Sequence, residues 1–496
     1  MNARSKGGMI TMNKIPKHAL VIILLLPLLS FNIKNMHDWG DDFAQYLLEA
    51  KNIKEGRFFA ESGFIRNPNY VVGPNCYPPG FPIIIALTSF KVNNLNIVIS
   101  FFLVLIGYFS FLLFHKWFHF LSSLVMALAI AYNPLCIEFK TDIASDLPFV
   151  AFVLLFFIMY LSDNENMWHR ILSGFVLAFA IEIRYVGWIL MIALVMDIIY
   201  KASNNYLQQK KIDFNKVKRE VWIAGSALLF YGIFFLFFPQ RIIYYDNPKA
   251  LPLFQTIIAN ADYNYETLKY FFSCFREGIW DHIVPYSIIF LALTGFLLFI
   301  FKKDRAKPTI FIFFFIVYSI SILLHQYTNY GFRMLMPIIP LVFFFTAYAL
   351  LNMSSKIPDK PYKKYLGFCL GLILLMCYKQ HSLFALRSKK VILGPYSTEA
   401  ASMFYFIRTN TTNDATIMFG KPRALTYFTG RKTLINTEWA SRKVLERELE
   451  EYKPNYFLVN LEVTDDSTKH FFENHPPGWQ IVFSNKRFLF FKRNIN

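Results

Sequence analysis

Long apolar runs separated by short polar stretches fill most of the first 380 positions. They fall at about 15–33, 80–91, 95–115, 119–133, 146–161, 171–184, 185–200, 220–238, 284–301, 308–325, 333–351 and 365–378. A straight transmembrane helix needs roughly 20 apolar residues, and several of these runs are shorter. The run 80–91 reads as a half-helix or re-entrant entry to 95–115, which leaves about eleven spans. The pattern predicts a mainly α, polytopic membrane protein.

After about position 380 the period changes. STEAASMFYFIRTN, KPRALTYFTG and TEWASRKVLERELEEYK carry helical spacing, whereas DATIMFG, RKTLIN and NYFLVNLEV read as strands. QIVFSNKRFLFFKRN reads as a hairpin around Ser484-Asn485. These short elements predict a small α/β domain over 380–496, beside a membrane module over 1–379. No internal repeat or low-complexity linker interrupts either part.

Composition supports the membrane class. Of 496 residues, 55% are hydrophobic, 19% aromatic and only 17% charged, and 56 are Phe. A soluble protein of this length carries more charge. The net charge of +18 would suggest nucleic acid in a soluble chain. Here the basic residues gather in short loops between apolar runs and read as topology signals, so no nucleic-acid partner is expected. The loop 201–219, KKDRAK at 302–307 and the stretch around Lys356, Lys360, Lys363 and Lys364 all fall on the N-terminal side if the spans alternate. This places the N-terminus in the cytoplasm. The loop 34–79, the segment 134–145, the loop 239–283 and the tail then lie outside a cytoplasmic (inner) membrane. The first run is followed by NIKNMHDWG, which offers no small-residue cleavage site, so it reads as an uncleaved span. Five cysteines show no CxxC pair; Cys76, Cys136 and Cys274 fall in segments read as external, and their spacing demands no disulfide.

Charge near the membrane surface is where chemistry is to be sought. Asp41 and Asp42 open a stretch with apolar residues at helical spacing, including Phe43, Tyr46, Leu47 and Ala50. It reads as a surface helix whose first turn favours carboxylates, so the pair serves equally as a cap or as catalytic groups. Tyr77-Pro78-Pro79-Gly80 cannot lie in a helix interior and makes a rigid entry to the next run. Glu138, Asp142 and Asp146 are spaced i, i+4, i+8 and would share one face of a helix; capping is the alternative for Asp146, two residues before Pro148. Arg184 and Arg333 stand at the ends of apolar runs, where arginine either snorkels or takes an anionic partner such as a phosphate. No HExxH, clustered His/Cys spacing, GxSxG, P-loop or dinucleotide fingerprint is present. A divalent cation on Asp41 and Asp42 has no ligand pattern behind it.

Taken in order, these elements resemble a family. An uncleaved first span, an acidic pair in the first outer loop, a YPPG entry, an SDLPF element, an R-Y-x-G element and R-M-L-M-P-x-x-P follow one another. In the tail, FIRTNTTNDATIMFGKPRALTYFTGRKT adds a "kPR…TgR" string. The whole is similar to the polytopic GT-C glycosyltransferases, specifically the family 39-like group of protein O-mannosyltransferases and lipid A aminoarabinose transferases. The resemblance implies inverting transfer of a sugar from a polyprenyl-phosphate donor to a lipid, glycan or protein acceptor outside the cytoplasmic membrane. On the family pattern Asp41 would be the general base and Asp42 its support. Arg184 and Arg333 would bind the donor phosphate, with Asp146, Asp142 and Tyr77 orienting substrate. Arg241, Lys249 and Arg276 are further candidates for phosphate contact. No cofactor beyond an optional divalent cation follows. The competing expectations are a polytopic transporter or lipid-linked glycan flippase, which would show paired half-helices of an inverted repeat, and an inactive scaffold of the same fold.

Overall fold

The computed structural model describes residues 16–68, 77–164, 166–210, 214, 217–239, 251–272, 280–301, 308–325, 331–354, 365–387, 394–437, 441–474 and 476–494. Cys76, Cys274, Arg241, Lys249 and Arg276 lie outside the described residues.

Each run read as a span is a helix: Lys17–Leu25, Val92–His115, Phe120–Ala131, Asp146–Tyr160, Met167–Ile183, Trp188–Gln209, Lys218–Phe237, Trp280–Phe301, Thr309–Leu324, Ile339–Ser354 and Leu366–Arg387. Among the described residues, four helices are long and apolar enough to cross a membrane by themselves, at Val92–His115, Tyr185–Gln208, Lys218–Phe237 and His282–Phe301. The others are shorter apolar helices packed among them. The chain is therefore a mainly α, multi-pass membrane protein. The run at 80–91 holds the short helix Gly80–Leu87, a half-helix entry to the long helix that starts at Val92.

The two ends of the helix Asp146–Tyr160 locate two polar layers, about 21 Å apart at 1.5 Å per residue. At the far end Lys201 Nζ lies 2.9 Å from the fully buried Asp197 and 2.8 Å from Glu220. Tyr160 and Thr309 also donate to Asp197. Four helices are thus tied by groups that satisfy one another, as buried charge requires. The near end carries the candidate site.

Three further helices before the tail lie in the segments read as external, among them the short Pro134–Phe139. Asp41–Glu55 buries Phe43, Leu47 and Ala50, and ends at Gly56 in the left-handed region, φ 67°. Leu253–Phe272 belongs to the loop 239–283.

The tail forms one mixed sheet. Its strands are β1 (Phe64–Ile65), β2 (Thr416–Met418), β3 (Lys432–Leu434), β4 (Tyr456–Asn460), β5 (Trp479–Ser484) and β6 (Phe488–Arg493), in the order β1-β3-β2-β4-β6-β5. The first four are parallel neighbours, with Phe64 opposite Thr433, Thr416 opposite Lys432 and Ile417 opposite Tyr456. β6 runs antiparallel between β4 and β5, with the hairpin turn just past Ser484. The helices Thr398–Asn410, Pro422–Thr429 and Arg442–Tyr452 stand where the sequence pattern places them, and Asp466–Glu473 is an additional one. β1 comes from the loop 34–79, so that loop supplies an edge strand of the tail's sheet. Trp39 strengthens the join: its ring packs edge-on against Phe404, Phe419 and Phe488 at 5.7–6.2 Å. Aromatic pairs in this geometry add roughly 0.5–1.5 kcal/mol each beyond buried area.

Candidate active site

The site is built where the helix Asp41–Glu55, the start of Asp146–Tyr160, the residue after Met167–Ile183 and a 3-10 turn at Gly331–Met334 meet under the helix Pro422–Thr429 of the tail. Local sequence explains each placement. Asp146 precedes Pro148, whose missing amide lies among the donors that a helix start leaves unpaired anyway. Arg184 leaves the helical region at φ −150°, ψ 132°, ending the helix and opening a tight turn into the next. Gly80 lets the YPPG entry press onto that same end: a Cβ there would lie 2.7 Å from the Glu182 backbone. Gly331 adopts φ +63°, a left-handed conformation that starts the turn carrying Arg333.

These elements bring together Asp42, Asp146, Arg184, Arg333 and Tyr77 of the sequence candidates. Asp146 is 2% exposed and accepts from both Arg184 and Arg333, the latter at 3.1 Å through Nε. The Arg333 NH1 group reaches Asp42 Oδ2 at 3.1 Å, so this one guanidinium bridges the two carboxylates. The Tyr77 hydroxyl donates to Asp42 Oδ1 at 2.5 Å. Burial pushes that phenol well above its usual range, which keeps it a donor. Burial alone would raise the Asp42 carboxyl as well; the charges of Arg333 and Arg423 outweigh it and hold the group below the usual carboxylate range.

Arg423 was not among the candidate site residues, although its KPR string was read as a family feature. It is 4% exposed, donates to the Tyr77 hydroxyl at 2.8 Å and lies 3.4 Å from Asp42. Its guanidinium also sits 5.3 Å from the Tyr77 ring centroid. Only the fold shows that a tail residue enters the site. Two more residues complete the frame. Tyr46 bonds Ser145 at 2.9 Å and packs on Tyr77 with ring centroids 4.7 Å apart. The Tyr77 backbone N–H donates to the buried Glu49 at 2.9 Å. In the sequence both look like ordinary positions of an amphipathic helix.

The Asp41 side chain lies outside the described residues; its backbone begins the surface helix. Asp142 stands apart from the site. The helix that would have aligned Glu138, Asp142 and Asp146 ends at Phe139, and Asp146 starts another. The intervening turn folds Asp142 toward His37 instead, whose ring accepts the Ile143 N–H at 3.1 Å. Burial pushes the Asp142 carboxyl up to about 6. The hydrogen bond with His37 holds neighbouring Asp38 down at about 2. Among the described residues no group of three or more His, Cys, Asp and Glu stands together as a metal site.

Chemically, three guanidiniums face two carboxylates at the end of apolar helices. Such forks bind planar or tetrahedral oxyanions bidentately.

No family model and no curated protein matches the chain. Solved structures do. The oligosaccharyltransferase of Archaeoglobus fulgidus, tethered to an acceptor peptide, superposes with a TM-score of 0.54 at 11% identity over 90% of this chain and 69% of that one. The same organism's AglB in complex with an inhibitory peptide and a dolichol-phosphate gives 0.55 at 10% identity, with the same coverage. ArnT from Cupriavidus metallidurans bound to undecaprenyl phosphate gives 0.48 at 11% identity, over 96% and 97% of the two chains. The fold is that of the polytopic GT-C glycosyltransferases.

Proposed function

We propose that this chain is a membrane glycosyltransferase that moves a sugar from a polyprenyl-phosphate donor to an acceptor hydroxyl or phosphate, with inversion, on the outer face of the cytoplasmic membrane. The observation that carries the reading is the cluster in which Arg184, Arg333 and Arg423 converge on Asp42 and Asp146 at one end of the apolar helices of a GT-C fold. The archaeal AglB of the same fold was solved with a dolichol-phosphate, a lipid of the donor's chemical class.

In the proposed reaction the acceptor oxygen attacks the anomeric carbon and its proton passes to the Asp41 carboxylate. The bond from that carbon to the phosphate oxygen breaks, and the departing phosphate keeps the electron pair. Arg184 and Arg333 stabilise the charge it gains. Asp146, bonded to both arginines, is their positioning residue. Asp42 is a weak base while two arginines hold it, which favours Asp41 for proton abstraction. Asp42 then orients Tyr77 and Arg333. The N-terminus is cytoplasmic and the α/β tail external in this scheme, and lipid, glycan and protein acceptors all remain within the proposal.

The test is Asp41→Asn in membranes supplied with a polyprenyl-phosphate sugar. Loss of transfer with donor binding retained supports the base. Transfer at the wild-type rate removes Asp41 from the mechanism. Wild-type membranes that move no sugar from any such donor, but translocate the lipid, would make the protein a flippase. Protease cleavage of the tail from the cytoplasmic side alone would reverse the topology.

A further inference from the structure

Beside the arginine cluster lies a notch of different chemistry. Tyr263 and Asn264 border it from the helix Leu253–Phe272, His325 from the end of Thr309–Leu324, and Gly331 and Met334 from the turn that carries Arg333. It has room for about one water-sized group. Met334 follows Arg333 directly, so one turn carries both an edge of the notch and the residue that bridges Asp42 and Asp146.

The frame is fixed. The buried Asn260 donates to the backbone oxygens of Leu323 at 3.0 Å and His325 at 2.6 Å, locking the two helices together. The Tyr263 hydroxyl accepts the Gly331 N–H at 2.6 Å, which leaves its own proton to donate. The Asn264 amide nitrogen donates back to Asn260 O at 2.6 Å, which leaves its carbonyl oxygen as an acceptor. Among the described residues the lining is therefore a phenol, the amides of Asn260 and Asn264 and an imidazole, with an apolar edge at Ile322 and Met334, and it carries no carboxylate or guanidinium. Guanidiniums suit phosphate; neutral donors and acceptors at fixed positions suit one polar substituent on a neutral ring. A charged site and a neutral, hydroxyl-sized notch joined by the turn Gly331–Met334 match the two halves of a sugar phosphate.

We propose that Tyr263, Asn264 and His325 read one hydroxyl or amino substituent of the transferred sugar and thereby set which sugar the site accepts. The inference rests on the transferase reading. A site built to hydrogen-bond a substituent discriminates strongly against analogues lacking it, because its own polar groups are then left unpaired.

The experiment measures kcat/KM of the purified full chain in lipid nanodiscs with undecaprenyl phosphate carrying glucose, galactose, mannose, N-acetylglucosamine or 4-amino-arabinose. Wild type, Asn264→Ala, Asn264→Asp and His325→Ala are compared, and binding of sugar-free undecaprenyl phosphate is measured alongside. The expected result is a change of roughly 3- to 30-fold in the ratio between the best sugar and its nearest analogue. Affinity for the sugar-free lipid should stay within about twofold. Ratios that stay constant while all rates fall together would overturn the notch and leave the transferase intact, as would no change in any variant. A wild-type protein inactive with every donor would defeat the transferase reading, and the notch with it. Asn264→Asp preserves shape, so a folding defect confined to the alanine variants leaves the comparison decisive.

Discussion

Arg423→Ala tests whether the tail belongs to the catalytic centre. The side chain is 4% exposed, so solvent screens its contacts little. Its hydrogen bond to the Tyr77 hydroxyl at 2.8 Å is charge-assisted and contributes about 1.5–3 kcal/mol. Its stacking over the Tyr77 ring at 5.3 Å adds about 0.5–2 kcal/mol. The 3.4 Å approach to Asp42 is the weakest of the three, because Arg333 and Tyr77 still hold that carboxylate after the change. The first two contacts lower kcat/KM only as far as they are stronger in the transition state than in the free enzyme; at their full worth about 2–5 kcal/mol is lost. At about 1.4 kcal/mol per tenfold, that is a fall in kcat/KM of roughly 30- to 4,000-fold. Arg423→Lys keeps the charge but not the planar fork, and should recover only part of the loss. The assay is sugar transfer from a polyprenyl-phosphate donor in nanodiscs, with a thermal melt of each variant. A kcat/KM within about twofold of wild type, at unchanged Tm, would refute the reasoning and make Arg423 a packing residue.

Other perturbations have signed outcomes. Asp41→Asn should lower the transfer rate by about 10²–10⁴, the usual contribution of a general base, with donor affinity measured separately and unchanged. The Asp42 carboxyl is depressed in the folded state, so its stabilising contribution is present above about pH 4, the unfolded value, and disappears as pH falls through the folded one. The Tm gap between wild type and Asp42→Asn should therefore be constant near neutral pH and narrow as pH falls below about 4. Asp142 has the opposite sign: its folded carboxyl is raised to about 6, so ionisation destabilises the fold above that pH. Asp142→Asn should raise Tm at pH 8, with the gain vanishing toward pH 4. Gly331→Ala forces a Cβ into φ +63°, at about 1–2 kcal/mol, and should lower both Tm and donor use because it displaces the turn that carries Arg333.

The legible parts of this protein are those written in a local code. Apolar runs mark the helices because lipid and core accept little else, and the period change after 380 marks the sheet because strands alternate where helices do not. Arg184 and Arg333 could be singled out because a charge at the end of an apolar run needs an explanation within a few residues. Arg423 lies in an ordinary amphipathic helix, and only the meeting of two segments 381 positions apart makes it a partner of Asp42. Tyr46 and Glu49 escaped for the same reason. Asp142 shows the converse. Helical spacing aligned it with Asp146, but the chain turns after Phe139, so the geometric premise of that alignment is absent.

What the fold adds is a division of labour that no single segment carries. The loop 34–79 lends β1 to the tail's sheet, and the tail returns Arg423 to the loop's Tyr77 and Asp42. Each part is thus completed by the other. Sheet pairing, the Trp39 contacts and the Arg423 bonds all resist separation of the tail from the first loop. Docking of the tail and assembly of the carboxylate–arginine cluster should then be one equilibrium rather than two. If so, a lesion at Trp39, whose ring packs on the tail, lowers transfer in proportion to the fraction of tail undocked. Trp39→Ala should reduce kcat without altering which sugar is used, and the loss should track protease sensitivity of the tail. A Trp39→Ala protein with a protease-sensitive tail and wild-type kcat would show that the cluster forms without the tail in place.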